Sequence, residues 1–178
     1  MSSLDQSITS ESIVGGARRN AEIFTRSIIS TKVVLPFHLV GKNYAEILRA
    51  KIAEKVEGRC IADGYIRGKS VEIVQHSAGK LHMENVEFQV VYACDVCLPV
   101  EGMILECKSK TITQKAGIHA ECVVDGVAVI TVFVSKEDNA THPKFRDITE
   151  PDMTLTVKVV GVIFELNDQT VTVIADLV

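Results

Sequence analysis

The pair Cys94-x-x-Cys97 is the first arrangement in the sequence that could do chemistry, because two cysteines at this spacing are typical of zinc and redox sites. The residues that could complete a metal site are Cys107, Cys122, His76, His82 and His119. They do not include a second closely spaced pair. Cys94 and Cys97 also lie in a strand-like stretch, where residues three apart point to opposite faces. We therefore interpret the cysteines as core or edge residues, and a zinc or redox protein is the weakest reading.

Motifs of the common enzyme classes do not occur in the sequence. There is no G-x-S-x-G nucleophile motif, no P-loop, no H-E-x-x-H and no dinucleotide-binding fingerprint. We therefore predict a protein that is not an enzyme, with no catalytic residue, no metal and no cofactor.

The stretch that holds the cysteine pair predicts the longest strand of the chain. One apolar face is formed by Val86, Phe88, Val90, Tyr92, Cys94, Val96 and Leu98. Polar residues alternate with it, which is the period of a strand. Pro99 cannot donate to a sheet ladder and Gly102 tolerates unusual backbone angles, so residues 99–102 predict a joint between two domains.

The part before this joint predicts an α+β domain over residues 23–98. A strand from Ile23 to Leu35 ends before Pro36, and a helix follows between Asn43 and Gly58, where apolar residues recur at helical spacing. Short strands then lead to the long one. We expect a small antiparallel sheet covered by one main helix. Residues 1–22 are rich in serine and predict a flexible extension, in which two arginines could serve as a contact.

The part after the joint, residues 99–178, predicts an all-β domain. Alternation begins again at Met103, and Asp125-Gly126 between two apolar runs is typical of a tight hairpin. Residues 135–152 form a long polar connection, which we expect to hold a short helix or to be mobile. Two further strands follow, with Gly161 as an expected bulge. Five strands with the longest excursion between the third and fourth predict an OB-type barrel.

Composition limits the class of protein. With 178 residues, of which 47% are hydrophobic, the chain can bury a core without disulfides. Its five cysteines, an odd number, do not suggest a disulfide framework. The first residues lack the basic and apolar regions of a secretion signal, and no apolar run reaches the roughly 18 residues of a membrane span. We therefore expect an intracellular protein without membrane contact.

Charge is distributed unevenly between the two predicted domains. Residues 1–98 carry 12 Lys and Arg against 11 Asp and Glu, whereas residues 99–178 carry 7 against 12. An acidic second half does not suit a general nucleic-acid-coating protein, whose affinity comes from clustered basic residues.

The outward face of the predicted barrel nevertheless offers a small basic cluster for weak RNA contact. Its members are Lys108, Lys110, Lys115, His119 and Lys158. OB barrels bind single strands on such faces with stacked aromatic residues, and here Phe133 is the only aromatic residue on the second and third strands. A regular hairpin register places Phe133 on the same face as Val124. The alternative is a solvated lysine face; RNA contact would be salt-sensitive and indifferent to sequence.

Several strings in this order of elements resemble one family. They are LRAKIAEKVEGRC at the end of the helix, DGYI, and VVYACDVCLPVEGMIL around the joint, followed by the barrel. Together they are similar to the stalk subunit of multi-subunit DNA-directed RNA polymerases, that is, the seventh subunit of RNA polymerase II and its archaeal counterpart. The resemblance covers about residues 23–178. Its divergent form is similar to what a large DNA virus would encode for its own polymerase.

The resemblance implies a non-catalytic subunit that docks on the polymerase core near the clamp and holds an OB barrel beside the RNA exit path. Its partners would be core RNA polymerase subunits, a second stalk subunit and, weakly, nascent RNA. It would lie in the nucleus if cellular, and in the host cytoplasm and virion if viral. The implied polymerase contacts are Arg59, Ile61, Gly64, Tyr65, Ile66 and Arg67. Among them Ile61, Tyr65 and Ile66 would be exposed apolar anchors, unless Tyr65 and Ile66 simply close the small sheet.

A second hypothesis from a different class is a free-standing OB-fold RNA-binding factor of translation or RNA decay. Such a factor needs its own basic, aromatic groove, which an acidic barrel lacks. A polymerase subunit can instead use the effective concentration that its assembly supplies. The two hypotheses therefore differ in the surface charge that the barrel needs and in the partners that they predict.

Overall fold

The structure is a computed structural model that describes residues 23–113, 116–140 and 142–178. The predicted extension over residues 1–22 lies outside the described residues. Within the described ranges the protein is mostly β, with eleven strands, three α-helices and one 3-10 helix. None of these helices is long and apolar enough to cross a membrane.

The described residues form two compact units. One comprises Phe24–Leu98 together with Phe164–Val171, and the other comprises Pro99–Ile163 together with Thr172–Val178. Residues 164–171 join the first unit through backbone hydrogen bonds, since Cys60 N donates to Asp168 O at 2.7 Å and Asn167 N donates to Cys60 O at 2.9 Å. The predicted ranges 23–98 and 99–178 stay a prediction, and they did not include this grouping of residues 164–171.

The first unit is built on an antiparallel sheet. Its strands are β1 (Phe24–Pro36), β2 (Cys60–Ile61), β3 (Gly64–Ile66), β4 (Glu72–His76), β5 (Lys80–His82) and β6 (Asn85–Cys97). They follow the order β1-β6-β3-β2, and β4 and β5 also pair with β6. The long strand predicted around the cysteine pair is therefore confirmed as β6, the strand on which the others assemble. Its alternate apolar residues from Val86 to Val96 are all buried.

One helix, α1 (Tyr44–Val56), packs against this sheet. Its buried residues Leu48, Ile52 and Val56 recur every three or four positions, so that one face meets the sheet. The core residues of β1 and β6 around them include Val33, Leu35, Phe88, Val90 and Tyr92. The predicted helix is confirmed, although Asn43 forms no side-chain capping hydrogen bond.

The second unit is a closed five-stranded barrel in the order β10-β11-β9-β8-β7. Its strands are β7 (Ile104–Thr113), β8 (Gly117–Val124), β9 (Val127–Ser135), β10 (Thr154–Ile163) and β11 (Val171–Leu177). The long polar connection holds two short helices, α2 (Lys136–Asn139) and α3 (Pro143–Asp147). The pairing of β10 with β11 shifts between Val159 and Gly161, which confirms the expected bulge.

The hairpin of β8 and β9 corrects the predicted face of Phe133. Asp125 and Gly126 both have positive φ, as the tight turn requires. The register then shifts between Cys122 and Val123, so that Phe133 lies opposite His119. This bulge on β9 reverses the alternation, because one extra residue moves every later side chain to the other face. Phe133 therefore shares the face of His119, and the prediction that it shares the face of Val124 is wrong.

Candidate interaction surfaces

The β2–β3 turn carries the residues that the resemblance assigns to polymerase contact. Ile66 is fully buried in the core of the first unit, and Tyr65 is only 3% exposed. Tyr65 lies opposite Cys97 on β6, and Ile66 lies opposite Val96. The expectation of exposed apolar anchors is therefore wrong for these two residues, because they close the small sheet onto β6. Ile61 is half-buried and packs against the same core.

Gly64 sits at a position of this turn that a larger residue could not occupy without strain. Its φ is +123°, and a Cβ there would lie 2.6 Å from the carbonyl oxygen of Cys97. The close approach lets β3 meet β6 backbone to backbone. Burial raises the pKa of the neighbouring Tyr65 hydroxyl, and the Cys60 and Cys97 thiols add to the shift. The turn is thus tightly packed on its inner side.

Arginines beside the turn are engaged within the first unit. The Arg67 guanidinium lies 3.7 Å from an Asp95 carboxylate oxygen and 5.2 Å from the centroid of the Phe24 ring. Arg26 donates to Asp95 Oδ1 and to Ser70 O, each at 3.0 Å, and it also pairs with Glu72. Arg59 is half-buried. The six assigned contact residues lie in the β2–β3 hairpin or directly beside it, whereas the two residues of its turn, Ala62 and Asp63, are exposed.

Exposed apolar side chains meet at the other end of β6, a cluster that we call the apolar end patch: Phe37, Leu81 and Met83. Phe37 and Leu81 are each 63% exposed, and Met83 is 87% exposed. They line a shallow depression of about 610 Å³ together with Pro36, His38, Glu84 and Asn85. Phe37 begins a 3-10 turn directly after β1, and its N–H donates to Glu84 O at 2.9 Å, which joins the two segments.

Sequence reasoning missed the apolar end patch. The available signal was local: Phe37 and Leu39 follow Pro36, and Leu81 and Met83 interrupt a polar stretch. Recognising the patch also required the pairing of β5 with β6 and of Pro36 with Asn85, which brings the two segments to one end of the sheet. Three exposed apolar side chains in one depression are unusual on a surface that meets only water.

The barrel surface carries four of the five residues predicted to contact RNA. Lys108, Lys110, His119 and Lys158 are all exposed on its strands, whereas Lys115 lies outside the described residues. Lys110 Nζ lies 3.0 Å from Glu121 Oε2, and this hydrogen bond raises the pKa of Lys110. Glu121 is also opposite Lys108 in the register. The negative charge of Glu121 therefore neutralises part of the positive charge of the basic cluster.

An aromatic contact lies beside these lysines. The rings of His119 and Phe133 pack at a centroid distance of 4.9 Å and an interplanar angle of 57°. His119 is exposed and Phe133 is half-buried, and Thr111 on β7 lies opposite His119. The two rings are tilted against each other and lie beside the basic cluster, on the face from which the predicted register excluded Phe133. An exposed ring beside basic residues can stack a nucleobase.

All five cysteines are buried and free. Burial raises the pKa of Cys94 to about 11, and burial together with the nearby Asp168 charge raises that of Cys60 to about 11. Burial, with a contribution from Cys60, raises the pKa of Cys97 to about 12. The thiols of Cys60, Cys94 and Cys97 are therefore protonated at neutral pH, whereas metal binding and nucleophilic attack need the thiolate.

Within the described ranges no group of three or more His, Cys, Asp or Glu side chains is placed to hold a metal ion. Two surfaces of the described residues that could meet a partner are the apolar end patch on the first unit and the His119–Phe133 face on the barrel. The chain matches no family model and no curated protein.

Proposed function

We propose that the protein is a non-catalytic stalk subunit of a DNA-dependent RNA polymerase. In this proposal the first unit is an α+β domain that docks on the core subunits near the clamp. The barrel is of the OB type and stands near the RNA exit path, with a second stalk subunit as a further partner. The support is the family resemblance of the strings around α1, β3 and β6, together with a helix packed on a sheet and a separate closed five-stranded barrel.

The apolar end patch is the main observation in support of docking. Exposing three large apolar side chains in one depression is costly in water, and a partner that covers them recovers that cost. Apolar and aromatic anchors of this kind contribute most of the binding free energy in protein interfaces. We therefore assign docking to Phe37, Leu81 and Met83 in place of the buried Tyr65 and Ile66.

Affinity purification of the tagged full chain from its native source tests this function. We expect the large polymerase subunits to co-purify with the wild-type protein. Met83→Asp should reduce their yield at least tenfold, which corresponds to a loss of about 1.4 kcal/mol or more of binding free energy. Aspartate suits this position, because Met83 has a φ of 57° and aspartate tolerates the left-handed region.

The matched control is Val74→Asp. Val74 is 58% exposed on β4 of the same unit and lies outside the patch, so that this variant carries the same charge change. It should co-purify as the wild type does. A wild-type preparation without large polymerase subunits would refute the function itself. Equal yields from the Met83 and Val74 variants would leave the function standing and refute the assigned patch.

The His119–Phe133 pair favours a second candidate, a free-standing RNA-binding factor. Aromatic rings beside Lys108 and Lys110 are what such a factor needs for base stacking, and the sequence alone did not place Phe133 beside His119. The two candidates differ in what RNA binding requires. A free-standing factor binds single-stranded RNA tightly by itself, whereas a stalk subunit binds it weakly in isolation and depends on the assembled polymerase.

A further inference from the structure

Strand β1 forms one edge of the sheet of the first unit. It pairs with β6 along its whole length, from Phe24 opposite Cys97 to Pro36 opposite Asn85. Among the described residues no other strand pairs with it. A long regular edge without a covering element presents unpaired backbone groups to a partner. Only the last residue of this strand, Pro36, lines the depression of the apolar end patch.

The ladder identifies the backbone groups that face outward. On the far side of β6, Gln89 O accepts from Ser77 N and Asp95 O accepts from Arg67 N, so these residues do not bond to β1. Directly opposite residues in an antiparallel pair alternate between bonded and unbonded. Lys32, opposite Gln89, therefore directs its N–H and C=O away from β6, and so do Ser30 and Ile28.

Val34 shows the same outward direction. Its carbonyl accepts a hydrogen bond from Lys51 Nζ of α1 at 3.0 Å, and this contact marks where the helix begins to cover the edge. For Ile28, Ser30 and Lys32 no such backbone contact exists among the described residues. Three consecutive outward positions thus offer both a donor and an acceptor.

An apolar groove of about 560 Å³ lies beside this edge, on the face of the sheet that α1 covers. Its apolar lining consists of Ile29, Val33, Val34, Ile52, Val56, Ile61, Ala62 and Tyr92. Side chains of neighbouring strands that lie opposite one another project from the same face. A strand added to β1 would therefore place every second side chain in this groove. The free edge and the groove are two independent features that fit the same occupant.

The charges that line the groove differ between its two ends. Lys51 lies at the end beside Val34, as its hydrogen bond shows. Asp63 lies toward the other end, because it precedes Tyr65 by two residues and Tyr65 is opposite Cys97 on β6. Cys97 in turn is opposite Phe24, at the start of β1. The other charged residues that line the groove are Lys32, Glu54 and Lys55.

We propose that the edge of β1 binds an extended segment of a partner protein as an added antiparallel strand, with the sequence pattern acid-x-aliphatic-x-base. The acidic residue lies opposite Val33 beside Lys51, the aliphatic residue opposite Thr31 over the groove, and the basic residue opposite Ile29 toward Asp63. The two intervening residues bond to the backbone of Lys32 and Ser30. This mode takes affinity from the main chain and specificity from alternate side chains.

Titration of the ¹⁵N-labelled full chain with a short synthetic peptide containing Glu-Thr-Val-Thr-Lys tests the proposal. The amide resonances of Ile28, Ser30 and Lys32 should shift. A peptide with the charges exchanged, Lys-Thr-Val-Thr-Glu, should bind roughly fivefold more weakly, as expected for two exposed ion pairs. Absence of shifts at these amides up to about millimolar peptide, or equal binding of the two peptides, would overturn the proposal.

Two protein variants complete the test. Ser30→Pro removes an N–H that does not bond to β6, so the strand should persist while peptide binding is lost, since proline is tolerated on edge strands. The double variant Lys51→Glu, Asp63→Lys should reverse the preference between the two peptides. This variant keeps the test valid if Ser30→Pro fails to fold. An unchanged preference in the folded double variant contradicts the assigned polarity. The proposal is independent of polymerase docking.

Discussion

Tyr65 and Phe37 lie at opposite ends of β6 and have opposite environments. Tyr65 is opposite Cys97 and buried, whereas Phe37 follows the residue paired with Asn85 and is mostly exposed. The sequence shows both as aromatic residues near glycine or proline, and nothing local distinguishes them. Burial depends on which strand covers each side chain. Which apolar residues are exposed could therefore not be predicted from residue types alone.

Gly64 provides a direct test of the packing at the β2–β3 turn. Gly64→Ala should lower the free energy of unfolding by roughly 2–4 kcal/mol, because alanine is strained at positive φ and its Cβ would meet the Cys97 carbonyl. Gly68→Ala is the matched control, since nothing lies within 4 Å of the Cβ it would add. Its effect should stay within about 0.5 kcal/mol. Urea unfolding of both variants measures the difference, and equal midpoints would contradict the close approach.

At the scale of elements, regular periodicity was enough to predict most of the fold. The alternation in β6, the helical spacing in α1 and the Asp125-Gly126 turn each specify an element by local rules, and each is confirmed. The bulge between β8 and β9 was missed, because β9 is apolar on both faces and its sequence does not show where the alternation reverses. Strand β5 was also missed, because its 3 residues are too few to show an alternating pattern. Both errors affected the candidate sites more than the fold.

The bulge leads to a prediction about RNA contact. Phe133→Ala should weaken binding of the full chain to single-stranded RNA by about 1–3 kcal/mol, the usual contribution of one stacked base. Ile174→Ala on β11 is the control, because it removes an exposed apolar side chain outside the basic cluster. Fluorescence anisotropy with a labelled oligouridine at low salt compares them. Equal affinities of the two variants would show that the His119–Phe133 pair does not stack a base.

For the whole molecule, the sequence predicted a five-stranded barrel, which occurs, and a joint near residue 99, which stays a prediction. It could not predict that residues 164–171 return to the first unit. That contact joins Cys60 to residues more than a hundred positions later, and no local pattern encodes such a pairing. Non-local hydrogen bonds and the burial of individual side chains could therefore not be predicted from the sequence.

The buried thiols predict how stability depends on pH. Folding raises the pKa of Cys60, Cys94 and Cys97 from 9.0 to about 11–12, so the folded state favours the neutral thiol. The resulting stabilisation is complete below pH 9 and is lost as the pH rises toward 11–12, because the unfolded chain ionises first. Within this window each thiol contributes a slope of about −1.4 kcal/mol per pH unit.

Urea midpoints measured from neutral to alkaline pH should therefore fall steeply above pH 9. Cys97→Ala removes the thiol with the largest increase in pKa, and its midpoint should fall less steeply even if its stability at neutral pH is lower. The comparison of slopes separates titration from packing, since a lost packing contact lowers the midpoint equally at every pH. Parallel curves for the two proteins would show that Cys97 does not ionise on unfolding in this range, and would contradict its burial as a neutral thiol.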